Sequence, residues 1–296
     1  SGGFSYFTSG AEALLPTAVV ASGLERIGLP TTEHIRSLAN QFIFDAIVNL
    51  FQIDESGSAA VGDSAGDMCV LMLALRAISS TLPPEIVNAI VEHISKRRLA
   101  DGGWGLMTSN QSDCDSTASA LIVLSLLSKN DESLSESCES MIQSARNYLM
   151  MTHNSQGSWS SRPDEQDPSI DSTGMALLAL SYLEDSSEEI TKIMSNSTKY
   201  LLSTQNPDGG WGDKEGLNSD ADSTFWAICG LTSSGGTLYD AAMVSEQLNI
   251  AKIRLDEAYE RQVGSISQQI KQAIMKRVKM VIGALGSIGA AAGTLI

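Results

Sequence analysis

The amino-acid sequence predicts an all-α repeat protein, and three observations carry that prediction. Tryptophan recurs at Trp104, Trp159 and Trp211, 55 and 52 residues apart, and an Asp-Ser-Thr triplet follows each one 11, 12 and 11 residues later, at Asp115, Asp171 and Asp222. A period of that length belongs to a supersecondary unit that buries its apolar face only against neighbouring copies. Apolar residues recur at three- and four-residue spacing, while strict alternation and β-branched runs are scarce. Each unit repeats one plan: an apolar helix such as 119–127, a short polar break, and an amphipathic helix such as 140–151.

Five units follow one another along residues 1–249. The first, near 2–24, is degenerate: Gly2-Gly3-Phe4 precedes Thr17 by the interval that separates Trp104 from Thr117, with Leu15-Pro16-Thr17 in place of the triplet. The second, near 57–78, has Asp67 leading an apolar run with no tryptophan before it. Three full copies occupy 101–127, 157–183 and 208–231. The Asp of each triplet is expected to cap its helix, because short side-chain oxygens accept from unpaired N–H groups and carboxylates favour the positive end of the helix dipole. The glycines before each tryptophan are expected to supply the positive φ that stops the preceding helix.

The charge is divided. Through Asn249 there are 12 Lys/Arg against 32 Asp/Glu, and from Ile250 onward 7 against 3, for a net −16. An acidic body repels phosphate backbones, so nucleic acid is excluded as a partner. Residues 250–296 form a second region, with apolar positions from Leu255 to Val281 at helical spacing and an uncharged stretch from Met280 to Ile296. Its basic edge, Lys276, Arg277 and Lys279, and the apolar Met280, Val281, Ile282 and Leu285 beyond it, are the expected contact with a membrane or a protein partner. The four cysteines stand apart and suit free thiols in a reducing compartment, hence a cytoplasmic chain, peripheral to or anchored at a membrane. The opening "SGGFSYF" carries neither an initiator Met nor a signal-peptide pattern, as expected of a segment of something longer.

The stretch "YLLSTQNPDGGW", 200–211, resembles the QW motif of squalene-hopene and oxidosqualene cyclases; "YLMMTHNSQGSW" and "HISKRRLADGGW" follow it with His153 and Arg98 at the glutamine position. That resemblance implies an α/α toroid, the fold shared with prenyltransferase β subunits, here a single toroid of five to six helical hairpins with a long C-terminal amphipathic helix. It also implies a chemistry. "DCDSTA" resembles the D-x-D-D-T-A motif of class II terpene cyclases, in which the middle aspartate protonates an alkene or epoxide; Asp115 would be the acid, Asp113 its helper and Asp222 a poorer second choice, while Ser116 replaces the fourth carboxylate. The segment from Gly209 to Leu231 resembles that of prenyltransferase β subunits, but Ser223 stands at the zinc-binding histidine and Asp171 and Thr173 at the D-x-C pair, too few ligands for zinc. The acidic loop Asp208, Asp213, Glu215, Asp220 and Asp222 lacks EF-hand spacing, so no cofactor is expected, with Mg²⁺ and Ca²⁺ left open.

Only 16 aromatic residues serve the whole chain, and three of the four tryptophans belong to the turns, whereas a cyclase cavity uses π faces to stabilise a migrating cation. The expectation is therefore a toroid acting as a non-catalytic interaction or regulatory module, with a protein partner or membrane surface met by 250–296. The alternative is a class II cyclase-like enzyme that protonates an isoprenoid ligand with Asp115.

Overall fold

The computed structural model describes residues 14–27, 33–51, 67–78, 80–106, 109–130, 134–183, 185 and 187–234. Nine α-helices lie among them: α1 (Leu14–Ile27), α2 (Glu33–Leu50), α3 (Met68–Ala77), α4 (Pro84–Lys96), α5 (Cys114–Asn130), α6 (Ser135–Thr152), α7 (Ile170–Leu180), α8 (Glu188–Ser203) and α9 (Ala221–Ser234). The only extended pairings among the described residues are single bridges, Trp104 with Asp113 and Trp211 with Asp220. The all-α toroid is the fold observed. One unit takes residues 1–206 and 210–244, and a second takes 207–209 and 245–296. The C-terminal helix expected over 250–296, and with it Lys276, Arg277, Lys279, Met280, Val281, Ile282 and Leu285, lies outside the described residues, as do Gly2 to Phe4.

Burial separates the helices into two layers. The odd-numbered helices pack in succession, α1 on α3, α3 on α5, α5 on α7 and α7 on α9. In α7 every residue except Asp171 is buried, which suits a helix with neighbours on all sides. The even-numbered helices bury one stripe. In α8 the buried positions are Ile190, Ile193, Met194, Ser197, Thr198, Tyr200 and Leu201, at three- and four-residue spacing, against charged residues on the other face. Small residues let the inner layer close up: a Cβ on Gly230 would stand 2.7 Å from the Gly174 carbonyl oxygen and 2.9 Å from its Cα, so α9 and α7 touch backbone to backbone.

The tryptophan turn joins the layers. Gly102 (φ 88°) and Gly157 (φ 79°) hold the left-handed conformation, but within the turn: the outer helices α4 and α6 already end at Arg97 and His153, both at negative φ, so the expectation that these glycines stop the helices is corrected. The indoles of Trp104, Trp159 and Trp211 are fully buried or nearly so, and each Nε1–H donates to a carbonyl in the last turn of the preceding outer helix: Ile94 at 2.7 Å, Leu149 at 2.9 Å, Leu201 at 2.7 Å. The backbone N–H of each tryptophan donates to the hydroxyl of the triplet threonine, Thr117 at 2.9 Å, Thr173 at 3.1 Å and Thr224 at 3.0 Å. One sequence unit thus caps the outer helix, turns the chain and anchors the inner helix.

Neighbouring repeats are stitched at the helix starts. The first N–H of α5, at Cys114, donates to the Ser161 carbonyl at 2.9 Å, and that of α7, at Ile170, to the Asp213 carbonyl at 2.7 Å. Each acceptor lies two residues past the tryptophan of the next repeat, so a donor that a helix cannot satisfy internally is satisfied by its neighbour.

Candidate active site

The structure moves the helix caps two residues upstream of the triplet aspartates. On α5 the cap is Asp113: its Oδ1 accepts the Ser116 N–H at 2.7 Å, and its Oδ2 accepts the Ser116 hydroxyl and the Leu106 N–H, both at 3.0 Å. On α7 the cap is Ser169, accepting the Ser172 N–H at 3.1 Å, and on α9 it is Asp220, accepting the Ser223 N–H at 2.9 Å. On α3, Asp67 accepts the Cys69 N–H at 2.9 Å. Asp115, Asp171 and Asp222 are therefore second helical residues, and the expectation that they cap is corrected. The physical reason is register: the Trp–Thr hydroxyl bond fixes the fourth helical residue, which leaves the cap four positions earlier.

Freed from capping, these side chains converge at one end of the inner layer. Asp115 on α5 is faced by Asp171 on α7 and by Asp213, and Cys69, the second residue of α3, is close enough to feel both Asp115 and Asp222. Asp115 is half-buried as a residue, but its Oδ1 is sealed from solvent and has no hydrogen-bond partner. Asp171 Oδ1, one repeat on, is in the same condition, as are the hydroxyls of Ser119, Ser172 and Tyr148. Buried polar atoms nearly always find partners, so these five mark a place where something other than stability shaped the side chains.

Electrostatics sorts the carboxyls. Burial pushes Asp115 up to about 7; the Ser172 hydroxyl beside it draws it partly back, and the negative Asp113, Asp171 and Asp213 push it further. Asp171 is pushed up to about 6, again first by burial, with the Ser223 hydroxyl opposing and Asp222, Asp213 and Asp220 adding to the rise. Asp222 is raised by burial and by Asp220, with the Trp226 side chain opposing, although it stands on the exposed rim. Asp113 is also raised by burial, but Ser116, Leu106 and Arg162 all favour its charged form. Its three accepted bonds commit it to the helix start. Cys69 and Cys114 are driven upward by burial and by the carboxylates around them, so both are inert thiols rather than nucleophiles.

Asp113, committed to the helix start, lies two residues before Asp115 on α5, while Asp222 faces Asp171 rather than Asp115. Sequence reasoning passed over Asp171, although it carries the same triplet, and Ser119 and Ser172, whose roles depend on which helix they face. Among the described residues no group of three His, Cys, Asp or Glu side chains is placed to hold a metal ion, and no helix is long and apolar enough to cross a membrane.

The family model described as the prenyltransferase alpha-alpha toroid domain matches residues 2–262. No curated protein matches in sequence. Among solved structures, ent-copalyl diphosphate synthase from Streptomyces platensis superposes with a TM-score of 0.57 at 16% identity, over 80% of this chain and 42% of the synthase. A variant of the type II terpene cyclase MstE from Scytonema, in complex with geranylgeranyl dihydroxybenzoate, gives 0.54 at 15%, over 83% of this chain and 69% of the cyclase. A polysaccharide lyase gives 0.61 at 12%, over 83% and 77%. At these identities the likeness is one of fold, and this chain spans well under half the length of the synthase.

Proposed function

The chain belongs to the prenyltransferase alpha-alpha toroid family, and from that premise we propose that Asp115 is the general acid of a class II terpene cyclase-type site acting on an isoprenoid alkene or epoxide. The observation that carries this reading is the state of its carboxyl: it caps nothing, its Oδ1 is sealed without a partner, and burial holds its proton up to about pH 7. A helix cap would show the opposite, a solvated carboxylate bound to N–H groups and ionised well below neutrality. Asp220, the exposed cap of α9, supplies that contrast: the Ser223 N–H it accepts holds its carboxyl below the usual carboxylate range. The non-catalytic module expected from the scarce aromatics and the missing zinc ligands is set aside in favour of this reading.

The chemistry asks for one proton transfer. The Asp115 O–H bond breaks, a C–H or epoxide O–H bond forms on the substrate, and the cation appears on the neighbouring carbon while Asp115 becomes a carboxylate. Asp113, held in place by its three donors, fixes the start of α5 and so the position of Asp115. The geranylgeranyl compound bound by the structural neighbour supports an isoprenoid as the ligand class. The QW-type stretches and the basic tail fit a protein working on such lipids near a membrane surface.

The test is incubation with squalene, oxidosqualene, linear prenyl diphosphates and a prenylated aromatic acid, with and without Mg²⁺, read by mass spectrometry. A cyclised product whose yield falls at least about a hundredfold in Asp115→Asn, the scale of a general acid's contribution, supports the acid. Product formation that survives Asp115→Asn removes it.

A further inference from the structure

The three full repeats differ at one cap. On α5 and α9 the cap is an aspartate whose second oxygen also takes the hydroxyl of the serine three residues on, Ser116 to Asp113 Oδ2 at 3.0 Å and Ser223 to Asp220 Oδ2 at 2.9 Å. On α7 the cap is Ser169. Its one oxygen accepts the Ser172 N–H and donates to Asp213 Oδ1 at 2.6 Å, so nothing at this cap takes the Ser172 hydroxyl. Ser172 has no exposed surface, and its Oγ has no partner.

That released hydroxyl belongs to the same layer as Asp115. The Cys114 thiol, adjacent to Asp115 in the chain, donates to the Ser172 carbonyl at 3.5 Å, which brings the start of α5 against the start of α7. Two sealed, unsatisfied atoms, a hydroxyl and a carboxyl oxygen, therefore sit on facing helix starts. We propose that Ser172 is a positioning residue for Asp115, a hydroxyl set free by the serine cap at 169 that turns onto the carboxylate as Asp115 gives up its proton. The inference rests on Asp115 being the acid.

The groups facing Asp115 explain why such a donor is needed. Asp113 on its own helix, Asp171 on α7 and Asp213 all disfavour its charge, while Cys69 from α3 and Tyr148 from α6, both kept neutral by burial, offer no positive charge. Ser172 alone among these groups favours the carboxylate. A hydroxyl rotates freely and bonds an anion about twice as strongly as a neutral acceptor, so its help arrives mainly after the proton has left. The Ser172 O–H bond is not broken; the transferred proton comes from Asp115 alone.

The test is a ¹³C NMR titration of aspartate carboxyls, with the Asp115 signal assigned through Asp115→Asn. In the unaltered protein its midpoint is expected near pH 7. Ser172→Ala should raise it by roughly half to one pH unit, because a bond to the charged form has been removed. Ser172→Cys, a weaker donor of similar size, should raise it less and carries the test if the alanine variant fails to fold. Ser223→Ala, which acts on Asp171, should not raise the Asp115 midpoint, because a more protonated Asp171 repels the Asp115 charge less. With a cyclisable substrate, the alkaline limb of the rate profile, where Asp115 has lost its proton, should follow the midpoint, with kcat lowered and KM unchanged. A midpoint near 7 that ignores Ser172→Ala overturns the role of Ser172 and leaves the acid standing. A midpoint near 4 in the unaltered protein overturns both. An equal shift in Ser223→Ala would reduce Ser172 to packing.

Discussion

At the residue scale the threonine of the triplet does more for the fold than the aspartate that makes it conspicuous. Thr117 is fully buried, accepts the Trp104 N–H at 2.9 Å and donates to the Trp104 carbonyl at 3.2 Å. Thr117→Val keeps the shape and leaves the Trp104 N–H buried without an acceptor. A loss of about 1–3 kcal/mol is expected, read from urea unfolding. The Trp104 carbonyl keeps the Asp113 N–H at 2.9 Å, so the damage stays with the donor. The site itself was half legible from the sequence. "DCDSTA" places two aspartates at the start of a helix, but which one caps depends on a hydroxyl bond 13 residues long, from Trp104 to Thr117, that no local propensity encodes. The same reasoning overlooked Ser172, because its freedom arises from a single change at Ser169, visible only when the three caps are compared in space.

At the element scale the inner helices are ranked by how closely they approach. Gly174 and Gly230 remove the side chains where α7 and α9 meet, and a Cβ on Gly174 would collide with the backbone carbonyl of Trp226. Gly230→Ala must push the two helices apart. It should cost about 1–3 kcal/mol through overpacking, more than helix propensity returns, and lower the thermal midpoint. An unchanged or raised midpoint would mean that the two helices are not held backbone to backbone. The helices themselves were legible: the apolar run expected over 119–127 lies inside α5 and the amphipathic segment over 140–151 inside α6. Their partition was less so, because an inner helix such as α7 and a buried outer stripe are both apolar, and only the packing tells them apart.

For the whole molecule, the net charge of −16 is partly drawn inward, to the ends of the inner helices. Asp115 and Asp171 are held up to about 7 and about 6, above the roughly 3.9 of an unfolded aspartate. Between about pH 4 and those values the folded chain keeps protons that the unfolded chain releases, so stability is highest at the acid end and falls as pH rises through about 6 and about 7. Unfolding followed from about pH 5 to about pH 8 should show that decline, and Asp115→Asn should flatten it. A parallel decline in the variant would trace it to the surface charge instead.

The stitching between repeats has a consequence for how the chain comes into being. A nascent polypeptide leaves the ribosome from its N-terminus, and domains gain structure as they emerge. The opening N–H of α5 has no acceptor until Ser161 has been synthesised, and that of α7 none until Asp213 has followed. Each repeat is thus completed by the one translated after it. Ribosome-bound intermediates should carry one unfinished helix start at their growing edge, its N–H held by water until the next repeat supplies the carbonyl.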